Sequence, residues 1–122
     1  MWFSALVMAS CGGDKSTAAD EARAAAECYY SYLIEEHYDQ YVNAIHDSHN
    51  MSEAYRSEMA DLMAQYVYGE KKRRNGLKSV KALDATVDDR LAEVKLQITY
   101  GDKSQEVISV PLVNVAGVWR IR

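Results

Sequence analysis

Two hydrophobic periods divide the chain into a helix-forming half and a strand-forming half. Near the start of the first half, apolar residues recur three and four positions apart, the spacing of one face of an α-helix. Thr17 and Asp20 stand just ahead of this run and match a helix-capping pattern. We therefore predict a first helix that begins at this point. Its apolar stripe consists of Ala22, Ala25, Ala26, Tyr29, Tyr30 and Leu33.

The same spacing restarts twice further along the chain. Tyr38, Tyr41, Val42 and Ile45 predict a short second helix, followed by a loop over residues 46–50. Asn50, with Glu53 three positions later, predicts the start of a third helix, which we expect to end at Gly69. The apolar stripe of this third helix consists of Tyr55, Met59, Leu62, Met63, Tyr66 and Val67.

Beyond Gly76 the period changes from that of a helix to that of a strand. Apolar residues alternate with polar ones from Ala92 to Tyr100, which is typical of a strand with one buried face. Further strands are predicted over residues 77–87, 106–115 and 118–121, joined by short polar or glycine-containing turns. The order of elements predicts an α+β fold in which N-terminal helices pack on a curved antiparallel sheet of about four strands.

The N-terminal segment has the character of an export signal. Residues 2–10 are apolar or small and too few to span a bilayer, which takes about 20 residues. The sequence from Met8 to Cys11 resembles a bacterial lipobox, although Met8 stands where leucine is usual and no basic residue precedes the run. We expect a lipoprotein signal peptide over residues 1–10, a flexible tether over 11–19 that starts at a lipidated Cys11, and one domain over 20–122. The alternative is that residues 1–10 belong to the domain and Cys11 is an ordinary thiol.

The two cysteines lie in different contexts. Cys11 stands between the apolar segment and two glycines, whereas Cys28 lies inside the first helical pattern. Because lipidation would consume the sulfur of Cys11, we do not expect the two cysteines to form a disulfide with one another.

Composition and charge narrow the class of protein. A chain of 122 residues has room for one domain, and its net charge of -4 argues against nucleic-acid binding. The densest basic run, Lys71 to Arg74, is interpreted as a solvated turn after the third helix, with an anionic lipid surface or a polyanion as the alternative.

The order of elements also carries a resemblance to known proteins. A long helix, a short helix around Tyr38-Asp39-Gln40-Tyr41, a third helix and a sheet that ends in Gly117-Val118-Trp119-Arg120-Ile121 resemble the cystatin-like, nuclear transport factor 2-like fold. More narrowly, the chain is similar to small lipoproteins of unknown function in the Bacteroidetes envelope. The resemblance implies a cone-shaped cavity between sheet and helices, used for catalysis in some relatives and for binding in others. It also implies a lipid-anchored protein of the bacterial cell envelope, in the outer membrane.

Several residues are candidates for chemistry. His46 and His49, with Asp47 between them, could bind a metal ion if their side chains converged, but a solvated loop is the favoured interpretation and no cofactor is expected. The resemblance also implies an alternative, an isomerase- or dehydratase-like enzyme that uses the cavity, for which Asp84 is the candidate catalytic residue and a tyrosine would donate a hydrogen bond to a developing oxyanion.

The tyrosines support a different interpretation. Tyr29, Tyr32, Tyr55 and Tyr66 could line a groove for a small apolar ligand or for a segment of another envelope protein, or they could simply belong to the core. Because no nucleophile, phosphate loop or paired metal motif is present in the sequence, we favour a non-catalytic binding or accessory domain, attached to the membrane by its lipid, over the enzyme.

Overall fold

The computed structural model describes residues 17–122, and these form helices followed by a sheet. The helices are α1 (Ala18–Ile34), α2 (Tyr38–Asn43) and α3 (Glu53–Arg74), with a short 3-10 turn at Ser48–Asn50. The strands are β1 (Leu77–Asp88), β2 (Leu91–Tyr100), β3 (Gln105–Val115) and β4 (Val118–Ile121), and they form one antiparallel sheet in sequence order. The predicted α+β architecture is confirmed. The predicted signal peptide and Cys11 lie outside the described residues.

Side-chain caps fix where α1 and α3 begin. The Thr17 hydroxyl accepts a hydrogen bond from the Asp20 amide at 3.1 Å, so α1 already includes Ala18 and Ala19, which we had assigned to the tether. Helix α3 begins after Ser52, whose hydroxyl accepts from the Tyr55 amide at 3.1 Å, and not after Asn50. Each capping hydroxyl satisfies an amide that has no partner within its helix.

Helix α3 does not end at Gly69 as predicted. It continues to Arg74 and ends at Asn75, which has the left-handed backbone conformation with φ of 62°. A glycine inside a helix costs about 1 kcal/mol relative to alanine but does not break it. The basic run Lys71 to Arg74 therefore forms the last turn of α3, where positive charge interacts favourably with the helix dipole, and the prediction that it is a turn was wrong.

The inner face of the sheet forms the core. On β2 the alternate residues Ala92, Val94, Leu96, Ile98 and Tyr100 are all buried, as the alternating pattern predicts. Their neighbours across the strand pairs supply the rest of this face, with Ala82 and Ile108 on either side of Leu96. The intervening residues of β2 point to the outer face of the sheet.

Helix α1 packs against this inner face through its smallest residues. Ala22, Ala25 and Ala26 are buried in the same hydrophobic cluster as Val94 and Leu96. Alanine side chains allow the helix backbone to approach the sheet closely, which excludes water from the larger apolar side chains of β2.

The edge strand β1 is tied to α1 at a bulge. The register between β1 and β2 shifts between Ala82 and Asp84, which leaves Leu83 as the extra residue. Next to this irregularity, the Glu27 carboxylate on α1 accepts a hydrogen bond from the Ala82 amide at 2.7 Å. Glu27 therefore satisfies an amide that an edge strand would otherwise leave to solvent or to another chain.

The opposite edge of the sheet is closed by the segment after α2. Ile45 pairs with Ile121 in a parallel bridge, the His46 amide donates to the Ile121 carbonyl at 2.7 Å, and the Ile121 amide donates to the Ala44 carbonyl at 2.9 Å. The start of the segment that we predicted to be a loop is thus an ordered extension of the sheet.

Cys28 on α1 differs from what the sequence predicts. Cys28 is disulfide-bonded in the structure. Because the sequence contains two cysteines, this disulfide is at odds with the expectation that they do not pair with one another.

Hydropathy adds one observation on membranes. Within the described part of the chain, no helix combines the length and the apolar character that a bilayer crossing requires.

The contact between Glu27 and β1 can be tested by substitution. We predict that Glu27→Ala lowers the free energy of unfolding by about 1.5–3 kcal/mol, because the charge-assisted hydrogen bond to Ala82 is lost. Glu21→Ala on the same helix is the control, with an expected loss of about 0.5 kcal/mol from the helix dipole. The measurement is urea unfolding followed by circular dichroism, and equal losses for the two variants would contradict the prediction.

Candidate functional site

Two tyrosines, one from α1 and one from α2, pack against each other. The rings of Tyr30 on α1 and Tyr41 on α2 form an edge-to-face pair with centroids 5.7 Å apart. Burial raises the pKa of both phenols, and the interaction between their hydroxyls raises the pKa of Tyr41 further. Both are therefore neutral hydrogen-bonding groups at physiological pH.

A second group of polar side chains lies at the end of β2. The Tyr100 hydroxyl donates to the Glu106 carboxylate at 2.6 Å. Arg74 lies over the Tyr100 ring, with its guanidinium carbon 4.5 Å from the ring centroid, and its Nη1 is 3.7 Å from the Glu106 carboxylate. Burial and then the hydrogen bond to Glu106 raise the pKa of Tyr100. Tyr66 of α3 adjoins Tyr100, and burial raises the pKa of Tyr66 as well.

Glu70 anchors the charged end of α3. Its side chain is buried, and its carboxylate lies 3.2 Å from Arg73 Nη2 and 3.6 Å from Arg74 Nε. Lys71 forms a separate ion pair with Glu36 at 2.8 Å, which raises the pKa of the lysine. Three of the four cations in the basic run therefore have carboxylate partners within the protein. A buried carboxylate that loses such partners is strongly destabilising.

We define the tyrosine cluster as Tyr30, Tyr41, Tyr66, Tyr100 and Glu106. Sequence reasoning selected Tyr66 and missed the other four, because they lie on separate elements and no spacing along the chain connects them. Within the cluster, the Tyr30 and Tyr41 rings pair with each other, and the Tyr100 hydroxyl pairs with the Glu106 carboxylate beside Tyr66. This arrangement holds α1, α2 and α3 to the end of the sheet.

The four tyrosines selected from the sequence do not share one groove. Tyr29 is buried, and its hydroxyl donates to the Trp119 carbonyl on β4 at 2.5 Å. The Tyr32 ring lies next to it, with centroids 6.4 Å apart. Tyr66 belongs to the tyrosine cluster, and Tyr55 is exposed at the start of α3.

Asp84 lies on the outer face of the sheet. It is exposed and stands directly across from Lys95 of β2, and its own carboxylate accepts from the Ala85 amide at 3.1 Å. The helices cover the other face. The structure therefore does not bring Asp84 together with the tyrosines that the isomerase- or dehydratase-like hypothesis requires.

His46 and His49 lie in an open pocket of about 240 Å³ between the 3-10 turn and β4. The Nε2 atom of His46 is 3.4 Å from the Asp47 carboxylate, and Arg56 and Arg120 line the same pocket. Among residues 17–122, no three histidine, cysteine or acidic side chains are grouped so that they could bind a metal ion. The two guanidinium groups give the pocket a positive rim, which is unfavourable for a cation.

Two wider grooves run between α2 and α3. One has a volume of about 600 Å³ and is lined by Asp39, Val42 and Asn43 on one side and Glu53, Ala54, Arg56 and Ser57 on the other. The second, of about 410 Å³, lies between the start of α2 and the middle of α3, near Tyr38 and Ala60. Both are open to solvent and lined mainly by polar side chains.

An apolar stripe on α3 is partly exposed. Tyr55, Leu62 and Tyr66 are 50%, 53% and 37% exposed, although the sequence pattern predicts that this stripe belongs to the core. Tyr68 is 61% exposed as well, but it lies on a different side of the helix from Tyr66. Only Ala60, Val67 and Glu70 of α3 are buried. Because α1 already covers the sheet, α3 packs mainly against α2, and Tyr55 and Leu62 of its apolar stripe are left partly in solvent. Clustered apolar side chains on a surface are typical of an interaction site.

Comparison with solved structures identifies the fold. No family model matches the chain, and no curated protein matches it. Among solved structures, the chain is similar to a Campylobacter jejuni protein described as an NTF2-like transpeptidase, with a TM-score of 0.65, 15% identity, and coverage of 80% of this chain and 93% of that chain. The chain therefore has a nuclear transport factor 2-like α+β fold, as the resemblance implies. This fold occurs in both ligand-binding and enzymatic proteins and does not by itself define a function.

The buried phenols predict a specific dependence of stability on pH. A phenol whose pKa is raised in the folded state favours folding below its unfolded value near 10 and loses that contribution as the pH rises further. Unfolding free energy should therefore fall above pH 10. In Tyr41→Phe the slope should be shallower by about 1.4 kcal/mol per pH unit, since one ionisable group has been removed.

Urea unfolding between pH 9 and about 11.5 measures this slope. The matched control is Tyr68→Phe, which removes the same hydroxyl from an exposed ring outside the tyrosine cluster. A slope in Tyr41→Phe equal to that of the unaltered protein would show that Tyr41 is not the buried phenol described.

Proposed function

We propose that the chain is a lipid-anchored protein of the bacterial cell envelope whose domain binds a protein partner and carries out no catalysis. The observation that carries the binding proposal is the partly exposed apolar stripe of α3, formed by Tyr55, Leu62 and Tyr66. Tyr55 and Leu62 lie outside the hydrophobic core, to which α3 contributes Val67 and Met63. A surface of aromatic and aliphatic side chains is suited to a protein interface, where burial of such area provides the main favourable energy.

The anchor proposal is supported by the N-terminal sequence. Small residues at Ala9 and Ser10 precede Cys11, and Gly12 and Gly13 follow it. Two or more acyl chains on a terminal cysteine would give stable attachment, whereas one chain gives marginal attachment. Thr17 caps the first helix, so residues 12–16 separate the lipidated residue from the folded domain. Five residues span at most about 18 Å, which would hold the domain close to the bilayer surface.

The described interior supports binding rather than catalysis. The tyrosine cluster pairs its hydroxyls with each other and with Glu106, and Tyr29 is committed to a backbone carbonyl. The grooves between α2 and α3 are open to solvent and carry charged side chains in their lining, whereas Tyr55 and Leu62 present apolar surface on α3 that suits a protein partner. The localisation we propose is the outer membrane, and the partner is another envelope protein.

The anchor is tested at Cys11. We predict that the native protein incorporates radiolabelled palmitate, that mass spectrometry finds a diacylglyceryl thioether at Cys11 as the first residue, and that Cys11→Ala loses both signals. A disulfide between Cys11 and Cys28 is the result that competes with lipidation, because Cys28 is disulfide-bonded and the sequence contains two cysteines. A thioether and a disulfide are exclusive uses of the Cys11 sulfur. Recovery of a peptide that links Cys11 to Cys28, with the leader intact, would overturn the anchor.

The binding surface is tested on the membrane-bound protein. A photo-crosslinking amino acid at Leu62 should give a discrete protein adduct in isolated envelopes, because this side chain would be buried in the interface. The matched control is the same amino acid at Val107, which is equally exposed but lies on the outer face of the sheet. Adducts of equal yield at both positions, or none at Leu62, would contradict the proposed surface.

A further inference from the structure

The pocket beside the 3-10 turn brings together two arginines from distant parts of the chain. Arg56 of α3 and Arg120 of β4 line it together with His46 and His49, and its volume is about 240 Å³. Among the described residues that line the pocket, Asp47 is the one that carries a carboxylate, and this group lies 3.4 Å from His46 Nε2. Two guanidinium groups and one carboxylate leave the pocket with an excess of positive charge.

Neither of these arginines has a carboxylate partner in the described part of the chain. Arg56 and Arg120 are half-buried, yet within residues 17–122 neither forms an ion pair. The other two half-buried arginines of this range, Arg23 and Arg74, are each paired with a carboxylate. A cation that is partly removed from water without an anion beside it is unfavourable. The two guanidinium groups therefore indicate an anion that comes from outside the chain.

Hydrogen bonds fix the walls of this pocket. The His46 amide donates to the Ile121 carbonyl at 2.7 Å, which joins the turn to β4. The Ser48 hydroxyl and Arg120 Nη1 both donate to the Asn43 carbonyl, at 3.1 and 3.3 Å. This contact holds Arg120 at the pocket and leaves its other N–H groups for a ligand. Because the walls are already ordered, an anion that binds here has few further groups to immobilise.

The donors in the pocket suit a phosphate group better than a carboxylate. A carboxylate has two oxygen atoms, which one guanidinium fork can bind by itself. A phosphate group has three or more free oxygens, enough for two guanidinium groups and the N–H of an imidazole. The pocket is smaller than the roughly 300–1,000 Å³ of sites for drug-sized ligands, which favours a group of few atoms.

We propose that this pocket is a binding site for a phosphate group, held by Arg56 and Arg120. His46 lies beside Asp47, so His49 is the further donor. A soluble phosphate and the phosphomonoester headgroup of a lipid share this chemistry. The site is separate from the apolar stripe of α3 and does not depend on the proposed binding of a protein partner.

Phosphate titration of the full chain tests the site. With the purified chain in micelles of an uncharged glycoside detergent, we expect saturable binding of inorganic phosphate in calorimetry, and weaker binding of acetate. Arg56→Gln and Arg120→Gln should each weaken phosphate binding about tenfold, because each removes charge-assisted hydrogen bonds. Arg56→Lys should also weaken it, since lysine keeps the charge but not the planar fork. The matched control is Arg90→Gln, because Arg90 also donates to a backbone carbonyl but does not line the pocket.

A second measurement needs no substitution and is independent of the stability of any variant. In the nuclear magnetic resonance spectrum of the unaltered chain, added phosphate should shift the amide signals of residues 45–49. The turn between β2 and β3, residues 101–104, packs on the other end of α3 and serves as the internal control. Shifts of equal size in both segments would contradict a specific site.

The source of the phosphate is distinguished with a short-chain phosphatidic acid added to the micelles. Tighter binding of phosphatidic acid than of inorganic phosphate, weakened by the same arginine substitutions, would assign the site to a lipid headgroup. Equal or weaker binding would assign it to a soluble phosphate. Absence of binding for both probes, acetate bound as tightly as phosphate, or an equal loss in Arg90→Gln would overturn the site. None of these results bears on crosslinking at Leu62 or on the anchor at Cys11.

Discussion

The close packing of α1 against the inner face of the sheet is the constraint on which the rest of the structure depends. Ala22, Ala25 and Ala26 bring the helix backbone close to Val94 and Leu96, and all five side chains are almost fully buried. This contact removes the largest continuous apolar surface of the sheet from water, which is the main favourable contribution to folding. It also places Glu27 where its carboxylate can reach the amide of the edge strand at Ala82.

Because α1 occupies the inner face of the sheet, α2 and α3 pack at the edge and the end of the sheet. Helix α2 continues into the segment that pairs with β4, and α3 packs beside α2 with its last turn held at the end of the sheet. The turn between β2 and β3 packs directly on this last turn, where the Gly101 and Asp102 amides donate to the Gly76 and Arg74 carbonyls at 2.8 and 2.9 Å. A side chain at Gly101 would collide with the Asn75 backbone. The end of α3 is thus fixed, while its outward face remains in solvent.

This division explains why the domain has a buried polar interior and an apolar surface at the same time. The interior tyrosines are held by hydrogen bonds and ring contacts that join three helices to one end of the sheet. Their raised pKa values follow from burial and keep the phenols neutral, so that they connect elements without placing charge in the core. The apolar side chains that a larger core would have buried are instead available on α3. In the proposed lipoprotein, the tether would keep this surface near the membrane, where the local concentration of a membrane-bound partner is raised.

Local patterns in the sequence were sufficient for the elements and for the class of fold. The change of period near Gly76 separates the helices from the strands, and the alternation along β2 correctly assigns its buried face. Boundaries that depend on a tertiary contact were less predictable. Gly69 was taken as a helix end, because nothing in the sequence shows that Glu70, Arg73 and Arg74 pair within one more turn.

The sequence by itself determined the succession of helices and strands, since hydrophobic periodicity is a local property of the chain. Only the tertiary structure decided which apolar stripes are buried, because the stripes of α1 and α3 have the same spacing and a single sheet face can be covered by one of them. It likewise decided that Asp84 faces away from the helices and that Tyr100 meets Glu106, Arg74 and Tyr66. These relations depend on a bulge, on strand register and on helix placement, which involve residues far apart in sequence.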